Sequence, residues 1–240
     1  MKQYPALEIG RRRRLYDRLA HRYDLQHFLI TAGADARGRR TLVSRAVKPG
    51  QLVLDAGSGT GSTAILAAER AANREAEPPG RIVLFDLSPA MLAVARRRLR
   101  ERGLDGLTVC VVGDIEHPPF RDRTFDTVLS TYSACPLSHP GDGALALYRA
   151  LKPGGCLGMA HSGEPQGRLV GSLARAVEGV VQRCPALSMG CRPVVVLPAL
   201  LAVGAEVFLD RYLGVPLWPF RVFVVRKPAA PPTPPDEDRR

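Results

Sequence analysis

The stretch Val53–Gly61 constrains the fold of this chain more than any other. Its first residues are apolar, and glycine then stands at every second position, as Gly57, Gly59 and Gly61. Glycine has no Cβ, so it adopts positive φ angles and lets a ligand approach the backbone closely. The residues from Ser62 onward have the composition of a helix. A strand that turns through glycines into a helix N-terminus predicts a ligand site whose amide groups point outward.

The spacing of these glycines distinguishes between two classes of cofactor site. A dinucleotide fingerprint has the form Gly-x-Gly-x-x-Gly, whereas the order here is Gly-Ser-Gly-Thr-Gly-Ser, with Ser62 at the position of the third glycine. The pattern resembles motif I of the class I S-adenosylmethionine-dependent methyltransferases. That resemblance implies a ligand with an amino-acid carboxylate and amine in place of a pyrophosphate. Taken alone, the loop fits a structural glycine turn equally well, so its context has to decide.

Acidic residues follow the next two predicted strands. Residues 81–86 form an apolar strand that ends on Asp86, where a carboxylate can accept hydrogen bonds from both hydroxyls of a ribose. Residues 107–112 form the following strand, and Asp114 and Ile115 come directly after it. These two residues resemble the third motif of the same methyltransferases, which implies that they contact the adenine.

The second half of the chain extends the resemblance. A strand is predicted over 125–131 and a helix over 142–151; the phrase Leu-Lys-Pro-Gly-Gly then stops the helix before a strand over 156–161. That phrase ahead of a strand is a strong mark of the methyltransferase superfamily. Alternating strands and helices predict an α/β fold, a mostly parallel sheet with helices on both faces. The resemblance implies a Rossmann-like sheet of seven strands, the last two of them, near 206–212 and 221–225, antiparallel.

The residues before the core are expected to form an N-terminal helical cap over 1–45. A helix is predicted over 11–30 and a second one through 37–43. The pairs Tyr16-Asp17 and Tyr23-Asp24 in the first helix resemble the cap of the menaquinone and ubiquinone biosynthesis C-methyltransferases. In that family the cap closes over the bound cofactor.

The rest of the chain divides into two parts by composition. A methyltransferase core is expected over 46–227, with a substrate-lid segment over about 164–204. Residues 228–240 hold five prolines and end in mixed charge, which predicts a disordered tail.

The resemblance implies that the chain binds one S-adenosyl-L-methionine, releases S-adenosyl-L-homocysteine and needs no metal. The expected cofactor-binding residues lie in the cap, in the glycine loop and near strand ends: Tyr16, Tyr23, Asp55, Gly57, Ser58, Gly59, Thr60, Gly61, Asp86, Leu87, Met91, Asp114, Ile115, Ser130 and Thr131.

Methyl transfer to an acceptor that must lose a proton calls for a base or a donor-rich pocket near the methyl group. Three residues near predicted strand ends are candidates for this role, namely Tyr132, His139 and His161. Each of these residue types is also common on surfaces and in packed cores, so the alternative of a purely structural role stays open.

The acceptor is less defined than the cofactor, because the chain departs from the quinone family in two motifs and has a shorter late insertion. Members of that family carry Phe-Gly-Leu-Arg-Asn after the fourth strand, where this chain has Tyr132 to Pro136, and a glutamate where this chain has His161. A quinone-like compound, an aromatic natural product and a lipid all remain candidate acceptors. A phospholipid amine N-methyltransferase at a membrane surface would explain the basic run Arg11–Arg14. Arsenite methylation would rest on Cys184 and Cys191 alone.

Other function classes are less favoured. The chain has 34 Lys and Arg against 23 Asp and Glu, a balance that suits an anionic partner or reflects arginine bias of the genome. An RNA- or protein-modifying methyltransferase, or a binding module of the same fold, remains an alternative; nucleic-acid enzymes commonly carry Asn-Pro-Pro-Tyr after the fourth strand, which is absent here. Five cysteines without metal spacing and a polar N-terminus favour a cytoplasmic protein. Peripheral membrane contact and a homodimer stay open.

Overall fold

A computed structural model describes the chain over five ranges: residues 8–31, 33–72, 77–163, 192–215 and 218–229. Within them, seven strands form one sheet: β1 (Leu52–Ala56), β2 (Arg81–Asp86), β3 (Thr108–Val112), β4 (Phe125–Thr131), β5 (Leu151–Ser162), β6 (Glu206–Val215) and β7 (Trp218–Arg226). The strand order is β3-β2-β1-β4-β5-β7-β6. The first five strands pair in parallel, and β7 runs antiparallel to both of its neighbours. The predicted antiparallel final pair and the Rossmann-like fold class are confirmed.

Helices cover both faces of this sheet. They are α1 (Ile9–Leu19), α2 (Tyr23–Thr31), α3 (Ala34–Ala46), α4 (Ser62–Ala71), α5 (Pro89–Arg100), α6 (Pro140–Arg149) and α7 (Leu197–Ala202). Val53 and Leu54, neighbours in β1, belong to different buried clusters, because successive side chains of a strand point to opposite faces. Helices α3, α4 and α5 pack on the face of Val53, and α6 and α7 pack on the face of Leu54.

Two predicted elements differ from the structure. The single helix expected over 11–30 is divided into α1 and α2 by a turn at residues 20–22, because α1 packs against α5 whereas α2 packs against α3. The strand expected over 156–161 begins earlier, at Leu151, and includes the Lys-Pro-Gly-Gly phrase. Gly154 and Gly155 exchange backbone hydrogen bonds of 2.9 Å with Lys227. The phrase is therefore part of the strand, whereas the sequence predicts that it precedes the strand.

Part of the predicted organisation lies outside the described residues. This holds for 164–191 of the expected lid, which includes Cys184 and Cys191, and for 230–240 of the expected tail. The division into cap, core, lid and tail therefore remains a prediction. Among the helices that are described, none has both the length and the apolar character needed to cross a membrane.

Candidate functional site

A cavity lies at the carboxyl ends of β1, β2, β3 and β4, beneath helix α1 and the start of α2. Including its open mouth it measures about 550 Å³. Most of the residues predicted from the sequence to bind a cofactor line it, and so does one predicted catalytic residue. These lining residues are Tyr16, Tyr23, Gly57, Gly59, Asp86, Leu87, Met91, Asp114, Ile115, Thr131 and Tyr132.

The three glycines of the loop have different tasks. All three have positive φ angles, of +73° at Gly57, +52° at Gly59 and +83° at Gly61. A Cβ on Gly57 would collide with the side chain of Ser133, and a Cβ on Gly61 would lie 2.9 Å from that of Ala95. A Cβ on Gly59 would meet no atom within 4 Å. The outer glycines therefore permit close packing, and Gly59 is the one that leaves space on the cavity side.

Asp86 is held at the end of β2 by backbone amides. The Gly59 amide donates to Oδ2 at 2.8 Å, and the Ser88 amide donates to Oδ1 at 2.9 Å. Burial raises the pKa of Asp86, these amides oppose that rise, and the nearby Asp17 adds to it. The side chain keeps part of its surface open to the cavity. Because each carboxylate oxygen has further lone pairs, Asp86 can still accept hydrogen bonds from a ligand.

Asp55 lies behind the loop with a different environment. The residue is completely buried, and within the described chain neither carboxylate oxygen accepts a hydrogen bond of normal geometry. Burial raises the pKa of Asp55 to about 7; Arg39 lowers it, Asp86 raises it further, and the Ala64 amide lowers it slightly. Asp55 therefore changes its charge near neutral pH, and its side chain is absent from the cavity lining.

Helix α1 is joined to the cavity wall through Arg12, which the sequence analysis did not single out. The Arg12 guanidinium donates to Asp114 Oδ1 at 3.0 Å, to Glu116 Oε2 at 3.3 Å and to the Pro136 carbonyl at 3.2 Å. Arg12 is only 3% exposed and lines the cavity. Asp114, the predicted adenine contact, is thus shared between the core and helix α1.

Of the three predicted catalytic residues, Tyr132 alone lies at the cavity. Its ring lines the wall, but its hydroxyl points away from the wall, to 3.4 Å from the Asp35 carbonyl, and burial raises its pKa. His161 is buried against Phe223, and burial lowers its pKa. His139 has a largely exposed side chain next to Glu116. The catalytic roles of all three remain predictions.

Four further predicted cofactor residues, like Asp55, do not line the cavity, and the hydroxyls of three of them make structural hydrogen bonds instead. Ser58 Oγ donates to the Asp55 carbonyl at 2.6 Å, and Thr60 Oγ1 donates to Asp24 Oδ1 at 2.6 Å. The hydroxyls of Ser130 and Ser133 lie 2.7 Å apart. Gly61 packs under α5, as described above. Together with Asp55, these residues stabilise the conformation of the loop.

Arg12, Gly113, Ser133, Pro136 and Leu137 also line the cavity; the sequence predicts the last three only as part of the segment after the fourth strand, where the substrate is expected to meet the methyl donor. Ser133 lies two residues after the end of β4, so its position near a strand end indicates it. Arg12 had no such signal, because one arginine in the run Arg11–Arg14 looks like any other until the helix is placed against the sheet.

Comparison with known proteins agrees with this architecture. Residues 53–155 match a family model described as a methyltransferase domain. The ubiquinone/menaquinone biosynthesis C-methyltransferase UbiE of Pseudomonas putida is 33% identical over 157 residues, which cover 65% of this chain and 59% of that protein. A putative methyltransferase from Bacillus halodurans superimposes with a TM-score of 0.64 at 19% identity, over 80% of this chain and 99% of that one. Geranyl diphosphate methyltransferase in complex with GPP and sinefungin gives a TM-score of 0.62 at 16% identity, over 80% and 77%.

The match to the curated relatives is partial, since this chain spans about 59% of the length of the Pseudomonas putida protein. The solved structures share the fold at low sequence identity. Residues 53–155 therefore match a methyltransferase domain, the chain is similar in sequence to the ubiquinone/menaquinone biosynthesis C-methyltransferases, and it shares its fold with solved methyltransferase structures.

Proposed function

We propose that this chain is an S-adenosylmethionine-dependent methyltransferase that acts on a small or lipophilic acceptor. The observation that carries the proposal is the cavity that the glycine loop, Asp86 and Asp114 form beneath the cap. The methyltransferase match over residues 53–155 includes all three of these features.

The residues around the cavity fit S-adenosylmethionine. The open side of Gly59 leaves room for the amino-acid end of the ligand. Asp86, oriented by two amides, can accept hydrogen bonds from the ribose hydroxyls, and Asp114 with Ile115 would meet the adenine. The bound ligand supplies a methyl group on a sulfonium, whose leaving group is already good.

The main task of the protein is therefore to position the acceptor and to exclude water. Tyr16 and Tyr23 pack edge to face, with ring centroids 6.2 Å apart, and form one wall of the cavity. Such a wall helps to hold the acceptor and the methyl group in line. Positioning of this kind can remove about 7–11 kcal/mol of the activation barrier.

The cavity favours a compact, largely apolar acceptor. The wall that remains for the acceptor includes Tyr132, Pro136 and Leu137, and helix α1 covers it. The curated relatives are named ubiquinone/menaquinone biosynthesis C-methyltransferases. A hydroquinone-like ring is therefore our first candidate acceptor, and an aromatic natural product is the next.

A lipid acceptor at a membrane surface is a second candidate, favoured by helix α2. Leu25, Phe28 and Leu29 are 66%, 55% and 68% exposed and lie on one side of this helix. Arg18 and Arg22, just before them, are exposed as well. Apolar residues next to basic ones are typical of helices that lie in a membrane interface. Because α2 also carries Tyr23, contact with a bilayer would place the cavity wall beside the lipid.

The proposed activity can be tested without knowing the acceptor. The full chain is incubated with methyl-labelled S-adenosylmethionine and an extract of its own cells, and the products are separated into lipid, small polar and macromolecular fractions. We expect label in the lipid or the small-molecule fraction. Label confined to the macromolecular fraction would contradict a small acceptor and favour an RNA- or protein-modifying enzyme.

A further inference from the structure

One arginine of the basic run in α1 enters the wall of the cavity. Arg11, Arg13 and Arg14 are exposed, whereas Arg12 is 3% exposed and lines the cavity. A buried guanidinium is costly unless carboxylates and carbonyls accept its hydrogen bonds. The partners of Arg12 therefore indicate what this residue does at the site.

The Arg12 guanidinium connects two segments of the cavity wall. Its Nη2 donates to Asp114 after β3, and its Nη1 donates to Glu116 and to the Pro136 carbonyl after β4. Asp114 and Pro136 both line the cavity. Because a guanidinium is a rigid planar fork, it holds these groups in one arrangement relative to each other.

Asp114 is held through one of its two carboxylate oxygens. Oδ1 accepts hydrogen bonds from Arg12 Nη2 at 3.0 Å and from the Glu116 amide at 3.3 Å. Oδ2 accepts none from the residues that the structure describes. An ionised carboxylate oxygen accepts but does not donate. Asp114 therefore presents an acceptor whose direction is fixed from the cap.

Glu116 supports this arrangement from the protein side. Its carboxylate accepts hydrogen bonds from the His139 amide at 2.7 Å and from the Ser138 amide at 3.3 Å. Burial acts to raise the pKa of Glu116, but these amides and Arg12 outweigh it, so the pKa is lowered. Glu116 does not line the cavity. Of the two carboxylates that Arg12 joins, Asp114 is the one that a ligand can reach.

We propose that Arg12 orients Asp114 toward the exocyclic amino group of the bound adenine, and that it thereby determines which base the site accepts. This inference rests on the proposed function. The amino group of adenine is a donor that Oδ2 can accept. Hypoxanthine carries an oxygen at the same place, and its nearest N–H lies on the ring beside it. A carboxylate held by Arg12 does not turn to follow that donor, whereas a released one does.

Binding of two ligands that differ only in the base tests this role. The full chain is titrated in a calorimeter with S-adenosylhomocysteine and with S-inosylhomocysteine, which contains hypoxanthine. We expect wild type to prefer the adenine ligand about 30-fold, the usual contribution of a hydrogen bond to a charged group. Arg12→Lys keeps the charge but loses the planar fork, so the preference should fall to about threefold. A preference that Arg12→Lys leaves unchanged would overturn the proposal.

Two control variants separate positioning from a general loosening of the cap. Arg13→Lys changes an exposed neighbour on the same helix and should keep the full preference. Asp24→Asn weakens a different contact of the cap, because Asp24 accepts hydrogen bonds from Thr60 and Arg98. It should change the affinities for both ligands by the same factor. If Asp24→Asn lowered the preference as much as Arg12→Lys, loosening of the cap would explain the effect and the proposal would be wrong.

The side-chain signals of Arg12 in the wild-type chain provide a measurement that needs no variant. Proton–nitrogen spectra of the ¹⁵N- and ¹³C-labelled protein, assigned through bonds from the Arg12 backbone, report on the guanidinium. We expect these signals to move when S-adenosylhomocysteine binds and to move less with S-inosylhomocysteine. Signals that stay in place, or that move equally with both ligands, would overturn the proposal even if Arg12→Lys does not fold.

The two proposals fail separately. A wild-type chain that binds neither ligand contradicts the proposed function. A chain that binds S-adenosylhomocysteine, with the same preference in wild type and in Arg12→Lys, contradicts only the role of Arg12.

Discussion

The two sides of the cavity are built in different ways. On the core side, the loop and the strand ends are joined by backbone groups, such as the Gly59 amide that donates to Asp86. On the cap side, buried charged side chains connect the helices to the core. Arg12 of α1 donates a hydrogen bond to Asp114, more than 100 residues later in the sequence. The core side is therefore set by the sheet itself, whereas the cap side depends on a few ion pairs that can be removed one at a time.

The two sides also place a buried aspartate in opposite environments. Asp55 on the core side has no hydrogen bond of normal geometry from the described residues, and its pKa is raised to about 7. Asp35 on the cap side has three side-chain partners, and its pKa is lowered. Raising the pH through the neutral range should therefore lower the stability of the core side and leave the ion pairs of the cap unchanged.

The largest effect on stability is expected from removing Arg12, which connects α1 to the core. Arg12→Ala leaves the carboxylates of Asp114 and Glu116 in a mostly buried place without their cation, which typically costs about 3–5 kcal/mol. Urea unfolding would measure the loss, and local opening of the cap would show as faster hydrogen exchange in α1. Arg13→Ala, which removes an exposed pair on the same helix, should cost less than about 1 kcal/mol. Equal effects of the two changes would contradict the comparison.

The next effect concerns the pH dependence of the core side. The pKa of Asp55 is raised from 3.8 to about 7 on folding, so the folded state binds more protons than the unfolded state between these values. Its contribution to stability is present below about pH 4 and is lost as the pH rises through 7, at most on the order of 4 kcal/mol. Asp55→Asn should remove this loss, which urea unfolding at about pH 5 and about pH 8 measures. A wild type and variant with parallel pH profiles would show that Asp55 does not titrate in this range.

A substitution at Gly59 separates binding from folding on the core side. Gly59→Val places a side chain in the open space of the cavity and should weaken S-adenosylhomocysteine binding at least about 100-fold, close to 3 kcal/mol. The strain of its positive φ should cost about 1–2 kcal/mol of stability. Gly103→Val is the matched control, because Gly103 also has a positive φ and open space around it, far along the chain from the loop. If the Gly59 variant binds as wild type does, the loop does not face the ligand.

The smallest effect is expected from removing one carboxylate. Asp86→Ala should weaken S-adenosylhomocysteine binding by about 1.5–3 kcal/mol, the usual contribution of hydrogen bonds to a charged group. Calorimetry measures this change, and Asp105→Ala, at an exposed aspartate, controls for the loss of charge. Unchanged affinity in a folded Asp86→Ala variant would contradict the prediction that Asp86 binds the ribose.

The sequence predicted the core side much better than the cap side, for a physical reason. The glycine loop, Asp86 and Asp114 lie at or just after strand ends, so local patterns place them at one edge of the sheet. The partners of Arg12 and the stacking of His27 on Tyr23 depend on how the cap helices pack, and no local pattern fixes that. The break between α1 and α2 was missed for the same reason, because each helix has a different partner.

The central claim is that the cavity between the loop and the cap binds S-adenosylmethionine. Calorimetric titration of the full chain with S-adenosylhomocysteine, and separately with NAD, tests it most directly. The account predicts one S-adenosylhomocysteine per chain, competition by S-adenosylmethionine and no heat from NAD. Binding of NAD alone, or S-adenosylhomocysteine binding that Gly59→Val leaves intact, would contradict it.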